Sequence, residues 1–158
     1  AATYVVLRGR RDGRAARKAA PWRAIRPLNA SGDAEAMSTT VHVVGFSEHE
    51  RAWIESALGR VADALIFVDD GEGFLARPPP DGGHCLIASA DVDEAATLRL
   101  VRELRRRGVA LPVIVLGPHT AFRTAVDIAR LESTDFLARP VSVRELRAAV
   151  RRVHPDPK

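Results

Sequence analysis

The apolar positions of the chain alternate between short unbroken runs and longer periodic stretches. Val113-Ile-Val-Leu116 is a continuous apolar run rich in β-branched residues, opened by Leu111-Pro112 and closed by Gly117-Pro118. It is too short for a helix and predicts a central parallel strand buried on both faces. Comparable runs predict strands at Thr40 to Val44, Ala64 to Val68, His84 to Ala88 and Thr134 to Leu137. Between them apolar residues recur every three or four positions, the period of a helix with one buried face. Ile54, Leu58 and Val61 mark such a helix, running to Arg60; Leu98, Val101 and Leu104 mark another. Ala125, Ile128 and Ala129 form a third inward face, and Val143, Leu146, Val150 and Val153 a fourth. A short helix with Phe74 and Leu75 follows Asp69-Asp70, and Pro78-Pro-Pro-Asp-Gly-Gly83 reads as a loop.

Helix starts are signalled as well. Ser47-Glu-His-Glu50 and Ser142-Val-Arg-Glu145 have the spacing of a capping box. Asp91, with Glu94 three residues on, and Thr120 are the expected openers of the third and fourth helices. Five strands alternating with five helices predict one α/β domain, a (βα)5 unit with a five-stranded parallel sheet and helices on both faces. Ligands and chemistry in such folds gather at the carboxyl ends of the strands, here Gly45-Phe46-Ser47, Ser89, Gly117-Pro118 and Arg139. A rival register takes Phe67-Val-Asp-Asp70 as the first strand with its acidic pair, but leaves Thr40 to Arg60 unexplained.

Charge changes the picture at one end only. Residues 1–36 hold eight Arg and Lys against three Asp and Glu, whereas the remaining residues hold 16 against 17. The basic character therefore belongs to a leader, residues 1–37, with no sustained period, which is expected to be disordered. Two other readings stay open: a nucleic-acid-contacting arm with Trp22 as a stacking residue, or sequence upstream of a natural start at Met37. The folded unit is expected over 38–154, with a tail at 155–158. The sole cysteine, Cys85, sits in an apolar run and reads as a buried small hydrophobe. His42, His49, His84, His119 and His154 show no metal-ligand spacing. Trp53 reads as packing, and Arg105-Arg-Arg107 as the solvated end of a helix. No apolar stretch has transmembrane length, and the cytoplasm is the expected compartment.

Thr40-Val-His-Val-Val44, Gly73-Phe-Leu-Ala76, Leu111-Pro-Val-Ile-Val115 and Asp135-Phe-Leu-Ala-Arg-Pro140 together give the chain a family likeness. Over about residues 40–153 it resembles the receiver domain of bacterial two-component response regulators, which has a flavodoxin-like fold, and within that family the nitrogen-fixation-type regulators. The resemblance implies a site that the residues do not supply. Receivers place an acidic pair after the first strand and an acceptor aspartate at the end of the third, which together hold Mg²⁺. A hydroxyl follows the fourth strand and a Lys the fifth, and both bind the phosphoryl group. Here those positions fall on Gly45 and Phe46, on Ser89, on Gly117 and on Arg139. Pro140, which follows a cis peptide bond in the family, is retained, and Phe136 matches the aromatic that moves with the switch hydroxyl.

The resemblance therefore implies a degenerate receiver, or pseudo-receiver: not an enzyme, with no cofactor and no metal, acting through a protein partner or as a homodimer. Its interaction face would be the fourth and fifth helices, with Arg123, Arg130, Arg144, Arg147 and Arg151 and with Asp127 and Glu132 as opposite charges; a merely solvated face is the other reading. Nucleic acid enters only through the leader or a separate output domain, and no membrane contact is expected. The alternative is a sensor of a small ligand or anion, with Phe46, Ser89, His119 and Arg139 lining the vacated pocket.

Overall fold

The computed structural model describes residues 4–7, 39–76, 78–79, 83–91, 93–131 and 134–153. In chain order the elements are β1 (Tyr4–Leu7), β2 (Thr40–Val44), α1 (Glu48–Leu58), β3 (Ala64–Val68), α2 (Gly71–Ala76) and β4 (His84–Ser89). They continue with α3 (Glu94–Arg106), β5 (Val113–Gly117), α4 (Phe122–Ala129), β6 (Thr134–Ala138) and α5 (Val143–Val153). The strands form one sheet in the order β1-β3-β2-β4-β5-β6. From β3 to β6 all neighbours are parallel, as expected.

Strand alternation sorts the core into two layers. Ile114 and Leu116 of β5 join Val41, Val43, Phe67 and Ile87 on the face covered by α1 and α5, through Ile54, Leu58, Leu146 and Val150. Val113 and Val115 join Ile66, Val68 and Leu86 on the other face, under Phe74, Leu100, Val101, Leu104 and Ile128 of α2, α3 and α4. Burial of both faces is why these strands read as unbroken apolar runs. Cys85 is fully buried in the first layer, and burial pushes its thiol pKa up to about 12, so it acts as a small apolar side chain.

Several expectations need correction. Tyr4–Leu7, within the leader expected to be disordered, forms a sixth strand antiparallel to β3, with Tyr4 opposite Phe67 and Leu7 opposite Ala64. Its Tyr-Val-Val-Leu composition suits a strand, but four residues are too few to show a period. The rest of the leader with Trp22 and Met37, together with Glu132, His154 and the tail, lies outside the described residues. Helix α3 is capped by Asp93, whose side chain accepts from the Ala96 N–H, and not by Asp91. Helix α4 has no side-chain cap; Ala121 and not Thr120 precedes it. Helix α1 stops at Leu58 and leaves Val61 in the following turn. Both capping boxes form, at Ser47–Glu50 and at Ser142–Glu145.

The arginine run at the end of α3 is more than a solvated end. Arg105 donates to the Val109 and Leu111 carbonyls, and Arg107 to the Leu75 carbonyl at the end of α2. Hydrogen bonds from Arg106 and Arg107 hold the Glu103 carboxyl down to about 2. The exposed helix end is thereby fastened to two neighbouring turns.

A histidine is buried inside the second layer. His42 of β2 packs edge-on against Phe74 and shares a 2.9 Å ring-nitrogen hydrogen bond with His84. Burial, reinforced by His84, lowers its pKa from 6.5 to about 3. Above 6.5 both folded and unfolded chains hold it neutral. Between 6.5 and about 3 only the unfolded chain takes the proton, so stability falls as pH falls, by at most about 1.4 kcal/mol per pH unit. Denaturant unfolding of wild type across that window should show this slope, and His42→Leu should flatten it.

Candidate functional site at the carboxyl end of the sheet

Strand order reverses between β2 and β4, since β3 lies to one side of β2 and β5 follows β4 on the other. The carboxyl ends of β2 and β4 therefore open a crevice, the usual ligand position in an open α/β sheet. Gly45, Phe46 and Ser89 stand at its rim, Gly117 ends β5, and Arg139-Pro140 follows β6. The topology thus brings the sequence-predicted positions to one edge.

Their individual environments differ from an open polar site. Gly45 takes a positive φ of 82° that turns the chain out of β2. Phe46 next turns inward and is buried in the α1–α5 layer. Its carbonyl accepts from Arg51 Nε at 3.0 Å, and Arg51 also pairs with Asp69 at 2.8 Å, which ties the start of α1 to the end of β3. Ser89 is half-buried; its carbonyl accepts the Thr97 hydroxyl, and its own hydroxyl lies 3.3 Å from the Asp91 carboxylate. The peptide bond between Arg139 and Pro140 is cis.

Gly117 and Phe136 face each other across neighbouring strands, two residues out of register. A Cβ built on Gly117 would lie 3.0 Å from Phe136 Cζ and 3.3 Å from the Ala90 Cβ. The aromatic ring therefore fills the space that a side chain at 117 would need, and it packs on the second core layer.

Arg139 reaches back across the crevice. Its Nε lies 2.5 Å from Asp91 Oδ2, and its Nη2 lies 2.8 Å from Glu50 Oε1. Glu50 at the same time accepts from the Ser47 N–H through Oε2, in the capping box of α1. Sequence reasoning missed both carboxylates because each already had a local explanation as a helix-start signal. Asp91 is released from capping by Asp93, two residues on, a choice that the spacing alone does not reveal. Carboxylates thus stand against Arg139, and one of them lies within reach of the Ser89 hydroxyl.

These contacts bear on what the crevice can hold. Mg²⁺ does not fit the residues at the family positions, since Gly45, Phe46 and Ser89 offer no carboxylate. Among the described residues no three His, Cys, Asp or Glu side chains converge as a metal-ligand set. An anion site from Phe46, Ser89, His119 and Arg139 also meets an obstacle: Phe46 is buried, His119 is exposed on a turn, and two carboxylates already face the guanidinium.

The expected interaction face is divided. Arg123, Arg130, Arg144 and Arg151 are exposed, but Arg147 is half-buried and donates to the Ala57 carbonyl at 2.7 Å, at the end of α1. Arg152, which sequence reasoning had passed over, pairs with Asp135 of β6 at 2.7 Å. No helix among the described residues is long and apolar enough to cross a membrane.

Comparison with solved structures identifies this geometry. A crystal structure of FixJ-N superposes with a TM-score of 0.65 at 24% identity, covering 73% of this chain and 93% of that one. A response regulator receiver protein from Pseudoalteromonas atlantica gives 0.63 at 22% identity, covering 72% and 95%. The chain has the receiver fold. Full-length FixJ from B. japonicum gives a TM-score of 0.62 at 20% identity, with 74% of this chain covering 60% of that one. In sequence, the receiver-like region is 28% identical over 114 residues to the transcriptional regulatory protein FixJ of Azorhizobium caulinodans. The match takes in 72% of this chain and 54% of the relative, so the chain spans about half the length of the curated protein it matches. No family model matches the chain.

The packing of Phe136 over Gly117 is directly testable. Gly117→Thr introduces a side chain into this space and must displace the ring, at a cost of about 1–3 kcal/mol. Phe136→Ala removes the obstruction, so denaturant unfolding of the single and double variants should show strong non-additivity, with Gly117→Thr costing little in the Phe136→Ala background.

Proposed function

We propose that the chain is a pseudo-receiver: a regulatory module of signal transduction that keeps the receiver fold, is not phosphorylated on aspartate and acts through protein contact or dimerisation. The observation that carries this reading is the set of side chains at the carboxyl end of the sheet. Phosphoryl transfer between a donor and a carboxylate relies on a metal and a cation to offset charge and on a free acceptor. Gly45, Phe46 and Ser89 provide neither metal ligands nor an acceptor carboxylate, and the nearest carboxylates are engaged by Arg139. Gly117 has no hydroxyl to move, and its space is taken by Phe136. The regulatory role is supported by the likeness to a protein described as a transcriptional regulator. Incubation with acetyl phosphate and Mg²⁺ should give no adduct by intact mass; a stoichiometric gain of one phosphoryl group would overturn the reading.

The contact face we propose is formed by α4 and α5, with Arg123, Arg130, Arg144 and Arg151 as its free charges. These four make no ion pair among the described residues. With Phe136 packed inward the face has a single state, so partner abundance and not a switch would set its occupancy. Arg144→Glu with Arg151→Glu should weaken self-association or partner binding in sedimentation while leaving the melting temperature unchanged. Arg147→Ala should do the opposite, lowering stability by about 1–2 kcal/mol through the lost bond to the Ala57 carbonyl.

A further inference from the structure

Glu50 lies in the first turn of α1 and Asp91 in the loop after β4, yet their carboxylates meet one guanidinium. Asp91 Oδ2 is 2.5 Å from Arg139 Nε, and Glu50 Oε1 is 2.8 Å from Nη2. Nε and Nη2 lie on the same side of the planar group, so both carboxylates are held against one guanidinium. Nη2 is sealed from water and has no acceptor in hydrogen-bonding alignment, so its contact with Glu50 is a close ion pair and not a directed hydrogen bond. Both carboxylates stay partly exposed, at 31% and 28%, so water screens their mutual repulsion only in part. A cation between them is what lets the two segments approach.

We propose that Arg139 is that cation, built into the chain. Its guanidinium occupies the position between Glu50 and Asp91 that a free divalent ion would otherwise have to fill. It thereby ties the start of α1 and the β4–α3 and β6–α5 loops into one arrangement without any ligand. The idea rests on the reading that this edge takes no phosphoryl group. Its test reads stability and metal response, so its failure leaves the outcome with acetyl phosphate untouched.

The experiment measures thermal midpoints of the full chain in chelator, in millimolar MgCl₂ or CaCl₂, and in NaCl of matched ionic strength. Wild type should show no shift with divalent ions beyond the NaCl control. Arg139→Met should melt lower in chelator and rise with the logarithm of divalent concentration. Arg139→Met combined with Glu50→Gln and Asp91→Asn should regain stability in chelator and lose the metal response. Gln at 50 still accepts from the Ser47 N–H, so the helix cap is retained. Should Arg139→Met fail to fold in chelator, folding of the triple variant there still supports the proposal. A wild-type midpoint that rises as much as the variant's overturns it. So does an Arg139→Met protein indifferent to divalent ions, or a triple variant no more stable than Arg139→Met.

Discussion

A parallel strand flanked on both sides by helices has no solvated face, so every residue of β5 from Val113 to Leu116 must find apolar neighbours in one layer or the other. The same demand extends to β2, β3 and β4, which leaves few places for polar groups within the sheet. His42 is buried among them and held neutral. Polar chemistry is thus pushed to the strand ends. There the loops and the first turn of α1 carry Glu50, Asp69, Asp91 and two arginines, Arg51 and Arg139, that cross-link them.

Within that edge, apolar packing has spread into space that a polar site would need. Phe46 turns into the α1–α5 layer and Phe136 lies against Gly117, so each face of the sheet extends its core by one aromatic ring. The buried Phe46 ring contributes about 1.5–3 kcal/mol relative to exposure, and the half-buried Phe136 ring less. Arg139 meanwhile converts two acidic side chains from potential ligands into structural partners. Helix ends follow the same logic: Arg105 and Arg107 close turns around α3, and Arg147 closes the end of α1.

The five parallel strands, the two capping boxes and the inward faces of α3 and α5 were legible because each is a repeated local pattern. So were the positions of Gly45, Phe46, Ser89, Gly117 and Arg139 at one edge, since the alternation of elements dictates the topology. What the sequence concealed is pairwise. Asp91 and Asp93 are equally good cap residues on paper, and only the fold decides which caps α3 and which turns to Arg139. Arg147 has the spacing of a surface arginine, but its neighbour across the layer is a carbonyl 90 residues away. Strand β1 escaped notice because a strand's identity lies in its partner, and four residues in a basic, Ala- and Gly-containing leader give little local sign of one.

That short strand alters how the sheet meets other chains. An uncovered edge strand exposes a row of unpaired amide and carbonyl groups, a template for any extended segment. Along β3 this row is already taken by Tyr4–Leu7, running opposite to the rest of the sheet. An incoming segment at that rim would meet β1, either adding to its outer side or displacing its four residue pairs from β3. At the far edge β6 has no such guard among the described residues. The two rims thus differ in kind, one ending in an antiparallel strand of four residues and the other in the parallel strand β6.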